Sequence, residues 1–372
     1  MQGLTLVLWA LVLLAPAPLA AAPPAPGPSF ETLAQQADQA REANRLDQAL
    51  ALYRAAVQLK PGWDEGWWAI GTITYDQDKY AECAPVFHRL TTLKPDFAPG
   101  WILSGMCDYR VRHYASAYQS LLRADALGFK SSPDLARAGR LHLVYLLTRN
   151  GSFEHAIALC TLLCRNTTIA PELVIAAGIA GLRRTWLPED VPPADRPLVM
   201  AFGEALTATA AQQSADAVAK FEAALKAYPD NAEIHYRFGA YLLKNGSDRG
   251  LDEIKTALQL DPTHVPALVS VSMEYLTKGE YATACQYGHR AVQAAPRDFA
   301  AHLMYGRALL EDHKLPDALA ELERAVKLAP DSPDAHFSLA AAYARAGRKE
   351  DAARERTEFQ RLKKLVNSRV GS

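Results

Sequence analysis

Apolar residues recur along most of this chain at helical spacing, and the helical pattern is itself repeated at a longer period. In ALAELERAVKLAP, Ala318, Leu322, Ala325 and Pro330 mark the form Ala-x-x-x-(Phe/Tyr/Leu)-x-x-Ala-x-x-x-x-Pro. Pro229, Pro262, Pro296 and Pro330 follow one another at 33, 34 and 34 residues, and Pro61 and Pro95 repeat the 34-residue step. Ahead of each repeat's closing segment lies another helical pattern. In the last unit Ala335, Leu339, Ala342 and Tyr343 form one apolar face. Gly347 ends that helix where a left-handed cap suits glycine, and a second helix begins near Glu350. A fixed period of this length predicts an all-α solenoid, because each hairpin buries its apolar face only by stacking on its neighbours.

Several columns recur together. A small residue recurs in the first helices: Ala37, Gly71, Gly105, Ala205, Gly239, Ser272, Gly306 and Ala340. The second helices carry Ala49, Cys83, Ala117, Ala156, Ala217, Gly250, Ala284, Ala318 and Ala352. Small residues at these places let two antiparallel helices approach at the short end of the usual ~8–10 Å. Four residues later stands a bulky side chain (Tyr53, Phe87, Leu121, Phe221, Ile254, Leu322), expected to fill the gap toward the next repeat. Nine such units are counted. The unit resembles the tetratricopeptide repeat (TPR) family, and the match covers most of the chain beyond its leader. The resemblance implies a right-handed superhelix whose first helices line a concave, partner-binding groove.

The departures set the domain reading. The unit near Ala98 lacks its closing proline, and the next keeps only Gly151, Phe153 and Ala156, with Val144 in the small-residue column. PELVIAAGIAGLRR (171–184) reads as a lone helix, and the prolines of TWLPEDVPPADRP forbid a regular partner. Two sub-arrays are expected, 30–183 and 198–372, joined by a Pro-rich loop at 184–197. Trp186 and Leu187 favour packing of that loop. The C-terminal helix, basic from Arg348 to Arg369, reads as a solvating cap on the open end.

The first residues differ from the rest. Leu4–Ala15 is an apolar run without charge, followed by small residues at Ala20–Ala22 and the Pro-rich stretch 23–29. This reads as a signal peptide over 1–22, although Met1–Gly3 carry no Lys or Arg. The run is too short to span a bilayer. Export is therefore expected, to a bacterial periplasm or beyond, with no stable membrane span. The Asn-x-Ser/Thr triplets at Asn150, Asn166 and Asn245 are discounted in that setting. A formal net charge of -1 gives no reason to expect nucleic acid as a partner.

Catalytic chemistry is missing from the pattern. There is no Gly-rich phosphate loop, no His-Glu-x-x-His and no nucleophile elbow, so neither catalytic residue nor cofactor nor metal is expected. Cys160 and Cys164 lie four apart without a second pair of ligands, and read as packing residues. Cys83 and Cys107, at ends of neighbouring antiparallel helices, are candidates for a disulfide. His235, His302 and His336 occupy the place held by Trp67 and Trp101 in earlier repeats, and read as replacements for that aromatic. The carboxylate clamp of chaperone-binding TPR arrays is not carried by the resemblance. The groove positions instead hold Trp68, Thr72 and Tyr75, then Ile102, Met106, Tyr109 and Arg110, then Leu141, Tyr145 and Arg149, then Tyr236, Leu243, Val269, Met273, Leu276, Leu303, Arg307 and Phe337. Aromatic anchors with arginine are the composition of binding hot spots. The reading is a non-enzymatic scaffold for a protein or peptide partner. The alternative is a structural spacer or assembly subunit of an envelope complex.

Overall fold

The computed structural model describes residues 27–165 and 169–370. The expected signal peptide and Asn166 lie outside the described residues. Among the described residues the chain is all-α, and it forms two compact units, one ending at Leu93 and one beginning at Lys94. The first unit holds α1 (Phe30–Glu42), α2 (Leu46–Leu59), α3 (Asp64–Asp76) and α4 (Tyr80–Leu93) as two hairpins. Ser29 starts α1 by accepting the Thr32 N–H at 3.2 Å, satisfying one of the unpaired donors of a first turn. Ala37 and Ala49 are fully buried where α1 meets α2.

The second unit continues with α5 (Ala98–Arg110), α6 (Tyr114–Ala126), α7 (Pro133–Arg149), α8 (Phe153–Leu163), α9 (Pro171–Gly181) and α10 (Arg196–Ala210). It ends with α11 (Ser214–Ala227), α12 (Ala232–Lys244), α13 (Arg249–Leu260), α14 (Val265–Thr277), α15 (Tyr281–Ala294), α16 (Phe299–Glu311), α17 (Leu315–Leu328), α18 (Pro333–Arg345) and α19 (Lys349–Val370). Paired helices make seven hairpins here, and α9, between the second and third, packs on α10 as closely as the helices of a hairpin pack on each other. The nine units read from the sequence are thus present, and the fold is the all-α TPR solenoid it implied.

The bulky column works differently from its expectation. A Cβ on Gly71 would meet Phe87 at 2.6 Å, one on Gly105 would meet Leu121 at 2.6 Å, and one on Gly306 would meet Leu322 at 2.7 Å. The large side chain therefore seats on the small residue of its own hairpin, in the space a missing side chain leaves. Only then does it reach onward, as where Phe221 stacks on Phe238 of the next hairpin at 5.1 Å between centroids.

Every hairpin turns through one left-handed residue: Asn44, Asp78, Arg112, Gly151, Gln212, Gly246, Gly279, His313 and Gly347. The N–H of the following residue bonds back five residues, as from Arg45 to the Ala40 carbonyl at 2.8 Å, closing a Schellman motif. Arg112, Gln212 and His313 hold this conformation at a cost of ~1–2 kcal/mol each relative to glycine. The motif tolerates them because the turn is bonded on both sides.

The proline column has its own partner. Trp67 Nε1 donates to the Pro61 carbonyl at 3.0 Å, and Trp101 Nε1 to the Pro95 carbonyl at 2.9 Å. His235, His302 and His336 make the same bond through Nε2 to Pro229, Pro296 and Pro330 at 2.8, 3.0 and 2.9 Å. The histidines do replace the tryptophans. A carbonyl oxygen only accepts, so each Nε2 carries a hydrogen. Each Nδ1 meets a carboxylate on the hairpin's second helix: Glu253 at 2.8 Å, Glu321 at 2.6 Å and Glu355 at 2.6 Å. The imidazole thus joins the inter-repeat turn to both helices of its hairpin, which an indole cannot do.

The Pro-rich stretch between α9 and α10 lies inside the second unit. Leu187 is fully buried and Val191 nearly so, and Val191 and Trp186 join a core with Ile179, Val199 and Phe202. Pro188–Asp190 forms a single 3-10 turn. Below it α9 and α10 touch backbone to backbone at Gly178 and Gly203.

Candidate functional site

The first-helix positions expected to form a groove fall into different surroundings. In the first unit, Trp68 is half-buried and packs edge-on against Phe87 at 5.9 Å between centroids. Thr72 turns its hydroxyl onto the Trp68 carbonyl at 3.0 Å, and Tyr75 sets its ring against Tyr80 at 5.7 Å. All three are half-buried and are engaged within their own hairpin.

In the second unit, Ile102, Met106, Tyr109, Tyr145 and Tyr236 are buried, which corrects the expectation that they stand on an open wall. Ile102 packs where Gly139 of α7 comes close. Tyr109, His142 and Tyr145 form one aromatic cluster, with centroids 4.9–6.1 Å apart. The Tyr109 hydroxyl donates to Glu189 of the Pro-rich loop at 3.3 Å. Burial and that carboxylate push the Tyr109 hydroxyl far above its ordinary range, and burial does the same to Tyr145. The chain thus closes this wall with its own loop. Leu141 is half-buried, while Arg110 and Arg149 are exposed, and Arg149 lies 4.5 Å over the Tyr114 ring. Tyr236 is buried beside His264, ring centroids 4.9 Å apart.

Beyond this closed stretch lies a cavity of about 580 Å³ between α8, α10 and α12. Leu206, Phe221 and Ile157 supply its apolar wall, and Arg237 and Lys244 reach its edge. Arg237 is held by Glu154 at 2.7 Å. Glu154 also holds Arg183 at 2.9 Å, which ties this cation into the hairpin framework. Arg165 and Lys244 sit at the C-terminal ends of α8 and α12, where cations offset the helix dipole.

The last repeats differ. Met273 and Arg307, both expected groove residues, come together in a cavity of about 350 Å³ formed by α14, α16 and α18. Leu276, Leu310, Tyr281 and Phe337 complete it. Phe337 is 58% exposed, Met273 37% and Tyr281 36%. These are large apolar side chains gathered on one wall and left in water, which monomers rarely tolerate without use. Glu311 at the margin is neutralised by Arg345, whose guanidinium bonds it at 2.7 Å and the Leu310 carbonyl at 2.7 Å. Leu276 and Phe337 are first-helix positions that the sequence already offers for this face, whereas Tyr281 stands at the start of α15, where first-helix spacing does not point.

Among the described residues no group of three or more His, Cys, Asp or Glu is placed to hold a metal ion. Cys160, Cys164 and Cys285 are free, buried thiols. Among the described residues no helix is long and apolar enough to cross a membrane.

Residues 204–363 match the family model of the cilia and flagella-associated protein 70 middle TPR-like domain. The human protein O-mannosyl-transferase TMTC1 is 39% identical over 59 residues, which is 16% of this chain and 7% of that protein. The chain thus aligns with only a small part of that relative's length. Among solved structures, MamA from Desulfovibrio magneticus RS-1 is 24% identical, with a TM-score of 0.37 over 40% of this chain and 85% of that one. A further MamA crystal structure is 17% identical, with a TM-score of 0.40 over 46% of this chain and 94% of the other. Superpositions at this level assign no function.

Proposed function

We propose that this chain, a tetratricopeptide-repeat protein, is a non-enzymatic scaffold that holds a segment of a partner protein in the groove of α14, α16 and α18. The observation that carries the reading is the exposed apolar wall of Met273, Phe337 and Tyr281 around Arg307. Covering it would remove apolar surface from water at ~25 cal/mol per Å², with aromatic and arginine side chains as the anchors. The leader-like run at the N-terminus supports an exported protein acting in a bacterial envelope, and the array's partners are proteins or peptides rather than nucleic acid.

The test is a photo-crosslinking residue at Phe337, with a second placed at Leu260 as a control exposed side chain outside the groove. A discrete crosslinked partner at Phe337 and none at Leu260 is expected in the native envelope. Equal crosslinking at both, or none at either, would remove the groove from consideration. The closed wall around Tyr109 favours the second reading for α5 to α9, that of a rigid spacer, since its apolar positions are already covered by the chain itself.

A further inference from the structure

Two observations specify the chemistry of the segment that the open groove takes; the argument rests on the groove reading above. The first is charge. Arg307 is half-buried among Met273, Leu276, Leu310 and Phe337. Glu311, the one carboxylate on that wall, is already paired with Arg345. Among the described residues Arg307 has neither an ion-pair nor a hydrogen-bond partner. A guanidinium in apolar surroundings with its five donors uncommitted favours a carboxylate, which it can grip with two parallel bonds.

The second is an example inside the same unit. Tyr109 on α5 and Leu310 on α16 occupy the same place relative to their small residues, Gly105 and Gly306. At α5 that place is already occupied. The occupant is the stretch Trp186-Leu187-Pro188-Glu189-Asp190-Val191, in which buried Leu187 and Val191 flank the 3-10 turn Pro188–Asp190 and Glu189 lies against the Tyr109 hydroxyl. Here the chain lays a turn flanked by apolar residues over a first-helix wall, and the turn presents a carboxylate to it. At α16 the equivalent wall is open and carries a free cation.

We infer that the groove of α14, α16 and α18 takes a short partner segment with apolar anchors flanking a Glu or Asp, the carboxylate seated on Arg307. Neutral or basic apolar segments are disfavoured, because they would bury an unpaired guanidinium.

The experiment is a displayed library of random twelve-residue peptides selected on the full chain. Selected peptides are then measured by fluorescence polarisation against wild type, Phe337→Ala, Arg307→Glu and Arg307→Gln. The expected result is enrichment of an acidic residue between apolar ones. Arg307→Glu then lowers affinity by about tenfold or more, and changing the peptide's acid to Lys recovers part of that loss on Arg307→Glu. Melting curves check that each variant stays folded. Peptides that lose binding with Phe337→Ala, yet carry no acid and ignore Arg307→Glu, would overturn the acidic class and leave the groove reading standing. Peptides insensitive to Phe337→Ala would overturn the groove reading and the inference together.

Discussion

Gly203→Ala probes the joint at which the repeat pattern breaks. A Cβ on Gly203 would lie 2.0 Å from the Val174 carbonyl oxygen and 3.0 Å from Val174 Cγ1. The contact is reciprocal, since a Cβ on Gly178 would lie 2.0 Å from the Val199 carbonyl oxygen. The obstructing atom is backbone in both cases, so no rotamer change relieves it. The helices must part by more than an ångström, loosening the cover over Val199 and Phe202. Overpacking of this kind costs ~1–3 kcal/mol, and a backbone clash belongs at the upper end. Against it stands the ~1 kcal/mol by which alanine exceeds glycine in a helix interior. The net expectation is a loss of ~2 kcal/mol. At ~2–4 °C per kcal/mol for a unit of this size, the melting temperature falls by ~4–8 °C. Gly62→Ala, with nothing within 4 Å, is the control and should change little. The Gly178→Ala, Gly203→Ala double variant should lose less than the sum, because one separation relieves both clashes. A Gly203→Ala protein as stable as wild type, or more so, would refute the backbone contact and leave helix propensity as the governing term.

Five further outcomes are expected. His302→Phe removes the bond to Pro296 and strands Glu321, lowering the urea midpoint by the equivalent of ~1–2 kcal/mol; His302→Trp should recover part of it, and an unchanged midpoint for His302→Phe would discard the pairing as a stabilising contact. The Tyr343 hydroxyl is pushed up to about 12, by burial first and then by its bond to Glu323. Its folded value exceeds its unfolded one, so its stabilisation is full below pH ~10 and is lost as pH rises through about 12; unfolding midpoints across that window should fall, less steeply in Tyr343→Phe. Burial pushes the Cys164 and Cys285 thiols up to about 11 and Cys160 higher, so native protein at pH 8 should react slowly with a thiol reagent. Cys83 and Cys107 are disulfide-bonded, as their place on neighbouring antiparallel helices led us to expect, so denaturation without reductant should release three thiols, and a count of five would reject the pairing. N-terminal sequencing of the native protein should begin after Ala22, and retention of Met1 would end the export reading.

The sequence by itself determined what is local and periodic. Helix period, the small-residue crossings and the Trp-to-His substitution at Trp67, Trp101, His235, His302 and His336 all recur at fixed spacing, and repetition makes each column legible. It also marked the interruption, because proline cannot continue a helix. The left-handed turn column was only half legible: Gly347 announces it, whereas Arg112, Gln212 and His313 have the wrong chemistry and are held there by the surrounding bonds. Which first-helix faces stay open was decided by tertiary structure alone. Tyr109 and Leu310 look alike in register, yet Tyr109 is covered by Glu189, 80 residues away in the chain. No spacing rule encodes where a non-repeating loop will lie. The loop goes there because Trp186 and Val191 find an apolar core between α9 and α10, and that placement closes one wall while the wall around Phe337 remains in water.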